Sequence, residues 1–395
     1  MHYIRLLRPP KVIRQAGLHL ELVLTVTTDL GDSFLYPDVP IDLHIVAEIH
    51  GSPNVSRLKL TEKGQVTWRP GLRVSKQKIA LPRPVQAALA SGARVDVCVA
   101  ASSDLSAEGA RDILFRCEIG EGNGQVMPVW ASLSSSDEGV DVSTRRIVLD
   151  DVGAGKYLVE VEEEIGESIA RHIWDAGVVA MCSVAGAYLC PGLDCSQQSL
   201  PNAIRTTLSS KSSLNILELG CGVGILGIGL ATLFPELRKE GLEKCTVMMT
   251  DLEEAEERAK SNMRRIARSG ASNHGISLLY ENLDWEDGRK GTFGPEVASR
   301  YWDLVIISDC TYNVDMLPAL VETLGALESS SASRQESDAA GTEVFLATKP
   351  RHASERAFFD LMANERWSIQ DSQTLNLPVL GSEEESIELY LFQRR

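Results

Sequence analysis

The densest run of residues able to do chemistry is Leu217-Glu218-Leu219-Gly220-Cys221-Gly222-Val223-Gly224-Ile225-Leu226-Gly227, an acid followed by closely spaced glycines. The pattern reads as a strand, a glycine turn and a helix start. Glycine allows the backbone positive φ and close approach to a ligand, and a helix start offers unpaired N–H groups. Two ligand chemistries fit. Gly222-x-Gly224-x-x-Gly227 matches the dinucleotide fingerprint, whereas Glu218-x-Gly220-x-Gly222-x-Gly224 matches the loop that binds S-adenosyl-L-methionine. The carboxylate separates them: at the end of the strand it repels a pyrophosphate, but it suits a cationic sulfonium and ammonium. A turn that only packs helix on strand does not need so many glycines.

Three later segments carry further candidates. Thr246–Asp251 ends in an acid that can take both hydroxyls of an adenosine ribose, or cap a helix with Glu254 completing a capping box. Asn282-Leu283-Asp284-Trp285 offers an indole face and a carboxylate for an adenine ring and its amino group, or is an ordinary surface turn. Ser308-Asp309-Cys310-Thr311-Tyr312-Asn313 places an acid and a phenol on one turn, where they can orient and flank an amine. Its competing reading is a helix cap at Asp309. Cys310 reads as a lining residue, since methyl transfer from a sulfonium needs no protein nucleophile and no His lies nearby in sequence. His172 and His352 read as structural.

These segments need a scaffold that brings strand ends together. From about residue 165 onward, apolar strands (Asn215–Leu219, Thr246–Thr250, Ile276–Tyr280, Leu304–Ile307, Val344–Ala347, Ile387–Gln393) alternate with helical stretches (Ile173–Leu189, one running through Leu233, Glu253–Ser269, Pro318–Leu327, Glu355–Arg366). That alternation predicts an α/β fold with a doubly wound, mostly parallel sheet. Ligands of such sheets bind beyond the carboxyl ends of the strands, at the switch point. Before residue 165 the period is two, as in Leu18–Val26, Ile41–Val46, Arg94–Val99 and Tyr157–Glu162, separated by turns such as Gly31-Asp32-Ser33. A β-rich sandwich or partly closed barrel follows. The polar run Ser134–Gly139 sets the expected division at a β-rich domain over 1–140, suited to substrate recognition, and an α/β domain over 141–395. Ser329–Gly341 reads as a disordered insertion.

Composition narrows the partners. Against 39 Lys+Arg stand 55 Asp+Glu in 395 residues, a net charge of −16. Such an excess opposes stable binding to nucleic acid, which rests on phosphate neutralisation, and favours a basic protein. The uncharged stretches Ala176–Leu193 and Leu219–Pro235 are too rich in Gly, Ala and Pro to read as membrane spans. Arg5, Arg8, Lys11 and Arg14 faintly resemble a transit peptide, but Pro9-Pro10 interrupts any amphipathic helix there. Eight scattered cysteines, of which only Cys190 and Cys195 lie close together, read as reduced thiols without metal, in a cytoplasmic protein that can also reach the nucleus.

The elements Ile173-Trp174-Asp175-Ala176-Gly177, Glu218-to-Gly224, Asp251, Asn282-Leu283-Asp284-Trp285 and Asp309-Cys310-Thr311-Tyr312 occur in the order of one family. From about Ile165 to the C-terminus the chain resembles the seven-β-strand, S-adenosyl-L-methionine-dependent protein-lysine methyltransferases. The residues before it resemble the N-terminal extensions of some fungal elongation-factor methyltransferases, without individual positions aligning. The resemblance implies a seven-stranded Rossmann-like sheet. It implies a cofactor site lined by Trp174, Glu218, Gly220, Gly222, Gly224, Asp251, Asp284 and Trp285, with Asp309 and Tyr312 facing the methyl acceptor. It also implies a lysine of a basic translation factor as substrate, and a monomeric enzyme. An Asn/Asp-Pro-Pro-Tyr segment and a Pro-Cys pair, which nucleobase methylation would call for, are absent from the sequence. A small-molecule or nucleic-acid acceptor remains the alternative within the class, and a non-catalytic binding scaffold the alternative outside it.

Overall fold

The computed structural model describes residues 1–14, 17–51, 55–119, 125–133, 141–150, 157–166, 169–189, 199–268, 275–332, 341–377, 379–380 and 385–395. The segment 134–139, Cys190, Cys195 and most of the 329–341 stretch lie outside these described residues. The chain forms two compact units, one of residues 1–147, 160–172 and 377–385, the other of 148–159, 173–376 and 386–395.

In the first unit two sheets enclose one core. A five-stranded sheet runs in the order Lys11–Arg14, Leu18–Thr28, His2–Leu6, Val126–Met127, with Ser75–Ala80 also pairing Leu18–Thr28. A seven-stranded sheet runs Leu158–Glu164, Val142–Val148, Val129–Leu133, Val95–Ala101, Ile41–His50, Val55–Lys59, with Thr67–Trp68 pairing Ile41–His50. Alternate residues point inward because successive side chains of a strand leave opposite faces. Leu20, Leu22 and Leu24 of one sheet therefore share a core with Leu43, Ile45, Val97 and Val99 of the other. Val142–Val148 and most of Leu158–Glu164, which the polar run at 134–139 would assign to the next domain, pair in this sheet. Two helices, Arg83–Ala90 and Ala110–Ile119, were not legible in the period-two pattern.

One inward position of this unit carries a charge. Arg145 is fully buried; its Nε donates to Glu163 Oε1 at 2.7 Å and its Nη1 to the Pro128 carbonyl at 2.7 Å. Burial works to raise the Glu163 carboxyl, yet the Arg145 guanidinium holds it well below the usual carboxylate range. Arg145→Met leaves Glu163 buried without its main partner, so urea denaturation of the full chain is expected to register a loss of about 3–5 kcal/mol. A loss within about 0.5 kcal/mol would mean that the pair contributes nothing net.

The second unit is built on a seven-stranded sheet. Its strands are β1 (Ser213–Leu219), β2 (Lys244–Asp251), β3 (Ile276–Asn282), β4 (Leu304–Ser308), β5 (Glu343–Thr348), β6 (Trp367–Leu377) and β7 (Glu385–Arg394). They lie in the order β3-β2-β1-β4-β5-β7-β6, the first five mutually parallel and β7 antiparallel to β5. Its helices are α1 (Asp175–Leu189), α2 (Ser199–Ser209), α3 (Ile225–Lys239), α4 (Glu253–Arg268), α5 (Leu317–Ala332) and α6 (Ala357–Asn364). Leu304 and Ile306 of β4 line one cavity with Met181 of α1, Ile204 of α2 and Leu230 of α3. The intervening Val305 and Ile307 meet Leu320 of α5 and Phe358 of α6 on the opposite face. Helices thus cover both faces, as a doubly wound sheet requires. Side chains as deeply buried as Ile216, Leu217, Val247 and Met248 each contribute roughly 1.5–3 kcal/mol on burial. Strand β6 and helix α2 escaped the sequence reading, β6 because only three of its eleven residues are buried and its apolar alternation is faint.

The strand order reverses between β1 and β4. Leu219 pairs with Thr250 on one side and Ile307 on the other, and Ser308 pairs with Ala347. The carboxyl ends of β1, β2, β4 and β5 are therefore level, and the residues that follow each strand emerge on one rim. Among the described residues, no helix is long and apolar enough to cross a membrane, and no His/Cys/Asp/Glu group could hold a metal ion.

Candidate active site

The glycine turn leaves β1 at the switch point. Gly220 has φ 67°, and a Cβ there would lie 2.4 Å from Cys310 Sγ and 3.4 Å from Cζ2 of Trp285. The position therefore requires glycine twice over, for its backbone conformation and for space. It also brings three separate segments together, because the Trp285 indole and the Cys310 thiol meet over this α-carbon. Asp251 ties the turn to the end of β2: Gly222 N donates to its Oδ2 and Leu252 N to its Oδ1, each at 2.7 Å. Asn262 of α4 donates to the Val223 carbonyl at 3.0 Å. Gly224, at φ 86°, delivers the chain into α3.

The electrostatics of this turn are unusual. Glu218 is fully buried; its Oε2 accepts from Gly227 N at 3.1 Å in the first turn of α3, while Oε1 has no hydrogen-bond partner. Burial pushes this carboxyl up to about 8 against the opposing Gly227 N–H. Asp251 is raised too, again by burial, with the Gly222 and Leu252 N–H groups working the other way. A buried, half-satisfied carboxylate under a glycine turn is a seat for positive charge and a poor one for phosphate. The residues present therefore fit the cationic cofactor expected from the sequence and do not fit a dinucleotide.

Asp309 follows β4 in the left-handed region, φ 51°, uncommon for a residue with a side chain. Its Oδ2 accepts from Ala176 N at 3.0 Å, at the start of α1. Its Oδ1 accepts from Lys349 N at 3.1 Å and from Arg351 Nη1 at 2.9 Å. The sequence reading reserved this carboxylate for an incoming ammonium; the structure seats the chain's own Arg351 against it. The same guanidinium lies over the Trp174 ring, 5.5 Å from its centroid. Trp174 thus stands with Asp309, whereas Glu218, Gly220, Asp251 and Trp285 gather around the glycine turn. Tyr312 is 55% exposed. Asp284 is exposed and accepts from Glu286 N at 2.9 Å, capping the short helix Trp285–Gly288.

Residues just after β5 were missed in the sequence. Lys349 Nζ pairs at 2.9 Å with the buried Asp175, whose carboxyl is held well below the usual range by the positive charges around it, Lys349 among them, although burial works against this. Glu355 Oε1 accepts from the backbone N–H groups of Arg351 and His352, and its Oε2 from Thr311 Oγ1 at 3.3 Å, bracing this loop on the Asp309 turn. His352 caps the turn Ala353–Arg356. The available signal was Lys349-Pro350-Arg351, two cations around a proline immediately after a parallel strand, in the position where such folds place ligands.

A family model described as lysine methyltransferase matches residues 155–365. A UPF0665 family protein of Schizosaccharomyces pombe is 26% identical over 380 residues, covering 93% of this chain and 97% of that protein. Among solved structures, an S-adenosylmethionine-dependent methyltransferase of Methanosarcina mazei is 13% identical, covering 47% of this chain and 93% of its own, with a TM-score of 0.32. The TYW2 protein of M. jannaschii, solved in complex with AdoMet, is 10% identical, covering 67% and 91%, with a TM-score of 0.32.

Proposed function

As the chain belongs to the lysine methyltransferase family, we propose that it transfers a methyl group from S-adenosyl-L-methionine to a lysine side chain of a protein. The observation that carries this reading is the unpartnered Glu218 oxygen beneath the Gly220–Gly224 turn, a carboxyl that can ionise opposite a cationic donor. When bound, the cofactor supplies an electrophilic methyl group on a sulfonium. Glu218 would oppose its positive charge, Asp251 would take the ribose hydroxyls, and the Trp285 indole would bound the adenine side. On the acceptor side, the Asp309 carboxylate and the Trp174 ring form a place that already holds a cation, which favours an alkylammonium over an uncharged acceptor. Lysine, with a reference pKa of about 10.4, must shed a proton before its nitrogen can accept a methyl group. Desolvation in the closed site lowers that cost, the carboxylate and the indole hold the incoming ammonium in line, and the remaining catalysis is positioning.

The charge of −16 supports a basic partner such as a translation elongation factor. Among the described residues, Cys98, Cys221, Cys245 and Cys310 are buried and stand outside any disulfide, which supports a reducing compartment, cytoplasm or nucleus. The test is incubation of the full chain with methyl-labelled cofactor and protein extract. Label is expected in a protein band that yields methyl-lysine on hydrolysis. Label confined to nuclease-sensitive material or to a small molecule overturns the lysine reading.

A further inference from the structure

We propose that Arg351 is an internal placeholder for the acceptor cation, and therefore a specificity residue that shuts free amines out of the site. The inference rests on the lysine reading above and deepens it. Three observations carry it. First, the guanidinium satisfies both features that an acceptor ammonium would use, 2.9 Å from Asp309 Oδ1 and 5.5 Å from the centroid of the Trp174 ring. Secondly, the Asp309 side chain is only 4% exposed and faces the Arg351 charge beside the N–H groups of Ala176 and Lys349, so an incoming cation that replaces the guanidinium keeps that buried charge compensated. Thirdly, the Arg351 side chain is 19% exposed while its backbone N–H is held by Glu355. Displacing the guanidinium breaks its bonds to Asp309 Oδ1 and to the Lys349 carbonyl but not the backbone bond to Glu355 that holds the loop.

Competition then sets specificity. The tethered guanidinium is always charged and acts at the high effective concentration of an intramolecular group. A free amine at ordinary concentration must displace it unaided. A lysine delivered by a protein docked elsewhere on the surface competes on intramolecular terms as well. If the place is open about 1% of the time, a small amine binds about a hundredfold more weakly than to an open site.

The test uses the full chain and n-butylamine, which carries the four-carbon stem of lysine. In Arg351→Ala and Arg351→Met, the second keeping an apolar stem over the indole, butylammonium is expected to change tryptophan fluorescence saturably, at concentrations that leave wild type unchanged. Trp174→Phe in either background removes the response. With saturating cofactor, kcat/KM for butylamine methylation is expected to rise at least tenfold in both variants, chiefly through KM, while Arg351→Lys, which keeps a tethered charge, gains less than either. A purely structural role for Arg351 predicts instead a fall in kcat with no gain in amine binding. The proposal is overturned if a folded Arg351→Ala or Arg351→Met protein gains no butylammonium site, or if wild type binds the amine equally well. Amine binding is read without cofactor, and cofactor binding to wild type is read separately by calorimetry. Failure of the methyltransferase reading is thus distinguishable from failure of the placeholder.

Discussion

Calorimetric titration is expected to show the affinity for S-adenosyl-L-methionine rising about tenfold per pH unit between pH 6 and 8 and levelling above that, with the carboxyl of Glu218 as the cause. The sign follows from the folded protein. With burial pushing Glu218 up to about 8, the ligand-free site at pH 6 holds a neutral acid and must lose its proton before it can oppose a cation. Binding therefore releases a proton below pH 8, and raising the pH removes the need to do so. Glu218→Gln keeps the shape, supplies an amide that can still accept from Gly227 N, and abolishes this contribution to the slope. Any slope left in the variant belongs to the ligand. The same carboxyl predicts the reverse trend for stability. Its folded pKa lies above the unfolded value, so the unfolded chain ionises first, and the ligand-free protein loses stability as the pH rises from about 4.5 towards 8. Glu218→Gln should thus be the more stable protein at pH 8 in the absence of cofactor. An unchanged slope in Glu218→Gln would place the cation elsewhere.

Gly220→Ala is expected to weaken cofactor binding about a hundredfold or more. Two penalties combine at one atom. Positive φ costs a residue with a Cβ about 1–2 kcal/mol, and φ here is 67°. The new methyl would also stand 2.4 Å from Cys310 Sγ, and crowding of that kind typically costs about 1–3 kcal/mol. The turn can relieve both only by moving away from Trp285 and from Asp251, the residues that shape the cofactor side. The double variant Gly220→Ala/Cys310→Ala separates the terms, because the remaining Cβ of residue 310 lies at an ordinary 3.9 Å. It should recover the steric part and retain the backbone part. Full recovery would show that φ is immaterial here; no recovery would show that the thiol yields freely.

Much of the site was legible because it is local in sequence. The Glu218-to-Gly224 turn obeys a rule of spacing, strand then glycines then helix, and a buried acid at its head excludes a phosphate ligand whatever the rest of the fold does. Alternation of strand and helix likewise dictated a mostly parallel sheet, with Asp251 and the Asp309 turn on one rim, since every strand of a parallel sheet points its carboxyl end the same way. What the pattern could not convey was occupancy. Asp309 reads from its neighbours as an acid available to an amine, yet its carboxylate meets Ala176, Lys349 and Arg351, residues 133, 40 and 42 positions away. Trp174 reads from its motif as a cofactor contact, yet it lies under a guanidinium from beyond the fifth strand.

The chain by itself determined the reaction chemistry of the donor side, the fold class that positions it, and a net charge of −16. Each depends on residue types at short spacing or on summed charge, and neither needs coordinates. Tertiary structure decided that Glu218 is left with one unsatisfied oxygen, that Gly220 has no room for a side chain, and that Arg351 stands against the Asp309 carboxylate. Those facts arise from contacts between segments far apart in sequence. Desolvation and hydrogen-bond satisfaction are properties of the assembled surroundings, so no single segment records them.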